Sequence, residues 1–271
     1  MKGKLALVAG AGGLPGKIIA ACKAEARPLF IIALEGFADK DVIGDGPQAW
    51  IRLGAVGTGV RHLREQGITE LVFAGAVRRP SFFELRPDMW TAALFAKAGV
   101  RALGDDGMLR ALIRELEREG FRVVGVDEVL GGLLATAGNY GHHVPDEMAL
   151  ADIRRGIVVA QALGAADVGQ GAVVQQGIVL AVEAIEGTDA MMARCLGLAR
   201  TGPGGVLVKV KKPGQERRAD LPTIGVDTIE RAAAAGLRGV AIEVGGAIVL
   251  DRSAVVEKAD SLGLFVVGVV P

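Results

Sequence analysis

The residues able to do chemistry gather in the last third of the chain. From Lys209 to Asp227, "KVKKPGQERRADLPTIGVD" collects Lys209, Lys211, Lys212, Arg217 and Arg218 ahead of Asp220 and Asp227. Cations beside isolated acids are what phosphoryl transfer needs: positive charge for phosphate oxygens, and an acid for a metal ion or a water. A basic surface loop has the same composition, so both readings stand. Asp227 opens a helical pattern, and Glu230 follows three residues on, where a capping-box partner belongs. Asp227 is therefore either an N-cap or a chemical group. A second acidic set, Glu183, Glu186 and Asp189 in "AVEAIEGTDAMM", lies where a strand gives way to a helix. Alternation along a strand puts Glu183 and Glu186 on opposite faces. Thr188 is placed to cap the helix, and Asp189 suits its dipole. Three acids beside an apolar strand also make a divalent-cation site once a further ligand arrives. Mg²⁺ takes few protein carboxylates and shares its shell with phosphate oxygens.

Three further sets lie in the first half. In "VAGAGGLPG", Gly10, Gly12 and Gly13 form a turn between a strand and a helix, a place where backbone N–H groups meet anions. Glu35 ends the next strand, as a ribose-binding acid would. The dinucleotide spacing G-x-G-x-x-G fails, because Pro15 stands at its third glycine. Phosphate contact and a structural turn remain alternatives. Arg78 and Arg79 in "GAVRRPSF" follow the third strand, at the end where open α/β sheets bind ligands. Guanidinium forks suit phosphate, and a solvated loop looks the same. Asp105 and Asp106 in "GDDGMLR" open a helix, as caps or as contacts to a ribose, a uracil or a metal. His142 and His143 are adjacent with no matching Cys or His pair, which favours solvated loop residues.

The elements that position these groups follow from periodicity. "KLALVAG", "PLFIIALE", "TELVFAG" and "FRVVGV" read as buried strands. They alternate with "PGKIIAACKAEA", "TGVRHLREQG", "DMWTAALFAKAG" and "DDGMLRALIRELEREG", which read as helices. Alternation of this kind implies a parallel sheet with helices on its faces. "GGLLATAGNYGHHVPDE" breaks both periods and reads as a linker. Beyond it come a long helix, "DEMALADIRRGIVVAQALG", and a hairpin around Gln175–Gln176–Gly177. Then follow a helix from Thr188, the strand "GVLVKVKK", the Asp227 helix, two short strands around Gly245–Gly246, a helix from Ser253 and the strand "LFVVGVV". The expected fold is α/β: a Rossmann-like parallel-sheet domain over 1–130, a linker over 131–147 and a second α/β domain over 148–271.

Composition bounds the function. The chain has 271 residues, 51% of them apolar, enough for sizeable cores. Formal net charge is zero, which argues against a nucleic-acid binder. Cys22 and Cys195 are far apart, which excludes a disulfide framework and suits a reducing cytoplasm. "IAAC" ending at Cys22 looks like a lipobox, yet glycines and Pro15 interrupt the apolar run before it, so a strand, loop and helix are favoured. No apolar stretch reaches the roughly 18 residues of a membrane span.

Seven segments resemble one family in its own order: "AGAGGLP", "FAGAVRRPSF", "GDDGMLR", "DVGQGAVV", "VLAVEAIEGTDAM", "KPGQERRADLPTIGVDTIERA" and "LGLFVVGV". It is the UDP-2,3-diacylglucosamine pyrophosphatase of lipid A synthesis, of the type found in bacteria that lack the metallophosphoesterase version. "EAIEGTDAM" with "DLPTIGVDT" is the specific pair. The resemblance implies hydrolysis to 2,3-diacylglucosamine 1-phosphate (lipid X) and UMP, with Mg²⁺ or Mn²⁺. It implies a homodimer whose two domains, around a linker, hold the lipid product between them; the expected place is the cytoplasm, with transient contact at the inner membrane surface. It places the family's essential aspartate on Asp227, to hold the metal or orient the water, and with the acids Glu186 and Asp189 this gives the expected metal ligands. It carries substrate contacts onto Gly10, Gly12, Gly13, Leu14, Arg79, Asp105, Asp106, Gln170, Gly171, Thr188, Lys209, Lys212, Thr223 and Thr228. Two other readings remain: a nicotinamide-dependent oxidoreductase, from the glycine turn and Glu35, and a nucleotide- or lipid-binding module without catalysis.

Overall fold

A run of apolar residues between turn signals makes the first strand, β1 (Leu5–Ala9), and four parallel neighbours complete its sheet. The structure, a computed structural model, describes residues 3–78, 85–99 and 105–271, with Asp105 and Asp106 as backbone only. The chain forms two units: Met1–Gly132 with Glu216–Asp220, and Leu133–Gln215 with Leu221–Pro271.

In the first unit, β2 (Leu29–Leu34), β3 (Gln48–Ile51), β4 (Glu70–Ala74) and β5 (Arg122–Val124) join β1 in the order β3-β2-β1-β4-β5. Every pair is parallel. The order reverses between β1 and β4, the switch point where such sheets take ligands. The expected Rossmann-like sheet is present, with β3 as a strand the sequence reading did not identify. Around it lie α1 (Leu14–Ala24), α2 (Lys40–Ile43), α3 (Val56–Glu65), α4 (Met89–Ala98), α5 (Asp105–Arg118) and α6 (Val126–Leu130). Leu14 and Pro15 open α1, where a missing N–H costs nothing. Cys22 sits on α1, only 2% exposed. One core of this unit joins Ala6, Ile32, Leu71 and Val123 on the strands to Val60, Leu63, Ile113 and Leu116 on α3 and α5.

In the second unit, β6 (Gly138–Asn139), β7 (Gly171–Gln175), β8 (Ile178–Val182), β9 (Val206–Lys209), β11 (Gly239–Glu243) and β13 (Phe265–Val269) form a mixed sheet in the order β6-β13-β11-β9-β7-β8. A separate parallel pair joins β10 (Thr223–Ile224) to β12 (Ile248–Val249). The hairpin at Gln176–Gly177 is as expected; both residues have positive φ, 54° and 75°, and the buried Asp152 carboxylate accepts their N–H groups.

Side chains alternate along β9, so Val206 and Val208 face the long helix α7 (Glu147–Ala165) while Leu207 faces the other layer. That other layer holds α8 (Gly187–Cys195), α9 (Val226–Ala234) and α10 (Arg252–Ser261) through Met191, Met192, Cys195, Ile229, Ala232, Val255 and Ala259. Gly156 lets α7 close on the sheet: a Cβ there would lie 2.4 Å from Val208.

The stretch read as a linker, 131–147, is tied into this unit from Leu133 onward. Asn139 pairs with Val267, Leu134 bridges Ile248, and Ala135 donates to the carbonyl of Ala247. His142 donates its backbone N–H to Asp260 at 2.7 Å and sets its ring beside the same carboxylate. Glycines and a proline broke both sequence periods, yet the backbone groups of this stretch still find partners, as backbone groups in folded chains do.

Candidate functional site

A cavity of about 200 Å³ in the second unit is lined by Glu186, Gly187, Thr188, Asp189, Lys209, Thr223 and Thr228. Two helices start at its wall. Gly187, Thr188 and Asp189 are the first turn of α8, and Thr228 lies in the first turn of α9. Helix N-termini carry unpaired N–H groups and partial positive charge, so two of them at one cavity favour an anion. Lys209, at the end of β9 and 6% exposed, adds a buried ammonium group. With one lysine, two helix starts and two carboxylates able to share a divalent cation, the cavity suits a phosphoryl group.

Its position follows from the sheet. Gly171 on β7 is opposite Lys209 on β9, and the N–H of Glu183 donates to the carbonyl of Gly171 at 2.9 Å. Glu183, just past the end of β8, thus extends the row of Gly171 and Lys209, with no side chain in the middle. The gap is required: a Cβ on Gly171 would lie 2.9 Å from Glu183 Oε2, and one on Gly169 would lie 2.1 Å from the Glu183 carbonyl oxygen. Glu183 is 8% exposed and accepts from the Thr188 hydroxyl at 2.6 Å.

Two sequence readings change here. Thr188 does not cap α8; Glu186 is the N-cap residue, without a side-chain bond, and the Thr188 proton goes to Glu183. Strand β8 ends at Val182, so Glu183 and Glu186 both lie in the following turn and strand alternation does not govern them. Asp227 is not the N-cap of α9 either. Gly225 holds that place, and the Thr228 hydroxyl accepts its N–H at 3.2 Å. Asp227 is exposed in the first helical turn, next to Thr228, and its carboxylate has no hydrogen bond or ion pair among the described residues.

The remaining acids and bases sort by partner. Glu186 meets Arg194 at 2.8 Å, and Asp189 meets Arg231 at 3.1 Å. Lys212 is buried against Asp167 at 2.7 Å, and Lys211 pairs with the buried Glu243. Gln170 accepts from Gln215 at 3.2 Å, which fixes the loop after Lys212. Arg218 holds Glu216 and Glu117 within the first unit. Its hydrogen bonds keep the Glu216 carboxyl below its usual range, against the opposing effect of burial. Among the described residues no group of three or more His, Cys, Asp and Glu stands at metal-binding spacing. Glu186 and Asp189 at one cavity still suit Mg²⁺, which binds through one or two carboxylates and completes its shell with water and phosphate oxygens.

Gly10, Gly12, Gly13 and Leu14 lie after β1, at the switch point of the first unit's sheet. A Cβ on Gly10 would lie 2.7 Å from the carbonyl oxygen of Ala76, so this glycine serves the close approach of the turns after β1 and β4. Gly12 has φ 89° and, like Gly13, is exposed with open space around it; Leu14 is buried below. Arg78 is exposed at the same end. Arg79 and the side chains of Asp105 and Asp106 lie outside the described residues; the backbone of both aspartates begins α5.

Of the sequence candidates, the cavity brings together Glu186, Thr188, Asp189, Lys209, Thr223 and Thr228. Gly187 was missed; its φ of 80° marks a turn that glycine accommodates. Glu183 was singled out as one acid of three, and only the structure gives it Thr188 as a partner.

Residues 4–133 match the family described as the LpxI N-terminal domain, and residues 136–267 match the LpxI C-terminal domain. The UDP-2,3-diacylglucosamine pyrophosphatase LpxI of Caulobacter vibrioides is 44% identical, across 99% of this chain and 98% of that protein. Among solved structures, CobK precorrin-6A reductase aligns with 100% of this chain and 90% of its own at 16% identity and a TM-score of 0.36.

Proposed function

The chain belongs to the LpxI family, and on that premise we propose that its second-unit cavity is where a pyrophosphate is cleaved. The chain hydrolyses UDP-2,3-diacylglucosamine to lipid X and UMP, as an enzyme of lipid A biosynthesis. The observation that carries the assignment of the site is the convergence of Lys209 and two helix N-termini on one phosphate-sized cavity. The nicotinamide reading is not favoured, because both units match the LpxI family and the relative at 44% identity is a pyrophosphatase.

In the mechanism we propose, Lys209 and the N–H groups opening α8 and α9 hold the reacting phosphoryl group and take up the charge that develops on it. Thr228, whose lone pair is committed to Gly225, has its proton left to donate to a phosphate oxygen. Asp227 lies one residue before Thr228 with its carboxylate unpaired among the described residues, suited to orient a water and accept its proton. The water oxygen bonds to the sugar-side phosphorus, the P–O bond to UMP breaks, and UMP leaves with the bond's electron pair. Glu186 and Asp189 are the residues that would hold Mg²⁺ or Mn²⁺ here, with Asp227 as a further ligand. When bound, the ion neutralises charge on the phosphate oxygens. We assign it to the type without a metallophosphoesterase centre, a reading supported by its three histidines, too few for a usual two-metal site. We place it in the cytoplasm, as a homodimer that meets its lipid at the inner membrane surface; no helix among the described residues is long and apolar enough to cross a membrane.

The test is UMP release by the purified chain. Turnover is expected with Mg²⁺ or Mn²⁺, loss with EDTA, and recovery on adding either ion back. Full turnover after exhaustive chelation removes the metal from the mechanism. Tight UMP binding with no release under any ion identifies a binding module instead.

A further inference from the structure

The cavity's three threonines do not offer the same thing to a ligand. Each hydroxyl has one proton and two lone pairs. Thr228 accepts from the N–H of Gly225 at 3.2 Å, so its proton is left for the cavity. Thr188 is the reverse: its proton goes to Glu183 Oε1 at 2.6 Å. That length is well within the range of a hydroxyl donating to a carboxylate oxygen, roughly 2.5–3.0 Å. With its one proton given to Glu183, Thr188 turns lone pairs, and no proton, toward the cavity it lines. A phosphate oxygen is also an acceptor and gains nothing from such a group. A water gains, because it has protons to give.

The surroundings hold Glu183 in this role. It is 8% exposed, and its second carboxylate oxygen accepts the N–H of Gln170 at 3.4 Å. The missing side chains of Gly169 and Gly171 make the space it fills. The turn from Glu183 to Thr188 is closed by Gly187 donating to the carbonyl of Ala184 at 3.1 Å.

We propose that Glu183 is a positioning residue that holds Thr188 as a hydrogen-bond acceptor for the attacking water. This rests on the hydrolysis reading above, and it adds a residue to which neither the sequence nor the family resemblance gave this role. It also divides the cavity by chemistry. Lys209, Thr228 and the helix N–H groups face phosphate, and Thr188 faces the nucleophile.

The test pairs turnover with the affinity of inorganic phosphate and of UMP, measured by calorimetry on wild type, Thr188→Val, Thr188→Ser, Glu183→Gln and the Glu183→Gln/Thr188→Val double variant. Thr188→Val is expected to lower kcat about tenfold, the worth of one hydrogen bond of this kind. KM and phosphate affinity should stay within about twofold, and Thr188→Ser should keep most of the rate. In Glu183→Gln the side-chain amide can donate to Thr188, which frees the hydroxyl proton for phosphate. Phosphate then binds several-fold tighter while kcat falls. In the double variant that gain disappears, and the rate is no lower than in the worse single.

A tenfold loss of phosphate affinity in Thr188→Val overturns the proposal, since Thr188 would then be a phosphate donor. A gain that persists in the double variant also overturns it, because loss of charge alone would explain it. A raised KM with unchanged kcat would assign Thr188 to a sugar hydroxyl, against the proposal. If Glu183→Gln does not fold, the Thr188 pair still decides the direction of the hydroxyl. A wild type that releases no UMP defeats the reaction and the role of the water, while the phosphate affinities still report whether Glu183 holds Thr188 as an acceptor.

Discussion

Asp227 and Thr228 are neighbours with opposite duties, and substitutions separate them. Thr228 makes the helix-start bond to Gly225, and Asp227 makes no such bond among the described residues. Thr228→Val should therefore cost about 1 kcal/mol of stability, the usual worth of a helix-start side chain, with lost activity besides. Asp227→Asn should cost at most a few tenths to 1 kcal/mol, through the helix dipole alone. Its turnover should fall roughly 10²–10⁴-fold, as when a catalytic acid or base is removed. Urea unfolding and a UMP-release assay on both variants check this. An Asp227→Asn protein with near-normal turnover would remove Asp227 from catalysis. Residue types alone made Asp227 and Thr188 look like caps, because Asp and Thr are frequent at helix starts. Which residue actually caps depends on where the chain enters the helix, and that is set by Gly225 and by the turn at Gly187.

At the scale of elements, buried strands and long helices were legible because their periods are. "LALVA", "LFIIAL" and "ELVFA" are apolar runs bounded by turn signals, and each is a strand of the parallel sheet. The helix over 147–165 and the hairpin at Gln176–Gly177 were equally plain. The short elements β3, β6, β10 and α6 carry no apolar run or period of their own. Tertiary pairing defines them, as Asn139 opposite Val267 shows. The cavity was legible as a list of residues but not as one site, since Thr188, Lys209 and Thr228 meet only through the sheet row and two helix starts.

The stretch from Leu133 to Asp146 supplies a test at this scale. Its ties to β12, β13 and Asp260 should make it resist limited proteolysis, contrary to the flexible joint its glycines imply. Asp260→Ala removes the acceptor of the His142 N–H and should open cleavage near 138–143, read by mass spectrometry. A wild type cut first within 133–146 would support the linker reading.

At the scale of the whole molecule, the Glu216–Asp220 segment counts with the first unit while the chain on both sides of it belongs to the second. Ala219 packs against the first unit's core, and Arg218 clasps Glu216 and Glu117. Because the Arg218 hydrogen bonds hold the folded Glu216 carboxyl below its usual range, its contribution is present above that range. It is lost as pH falls through the lowered value. Glu216→Gln should therefore lower stability at pH 7, by about 1 kcal/mol for a half-buried cluster, and by less at pH 3. Denaturant unfolding at the two pH values reads the difference; equal losses at both would remove the charge from the clasp. The same segment bears on how this protein can be inherited. A gene cut between codons 132 and 133 yields a first product lacking five residues of its own fold and a second product carrying them as a loop with nowhere to go. The two units are consequently a poor pair for shuffling, fusion or separate transfer between genomes, and descent should have kept them as one reading frame.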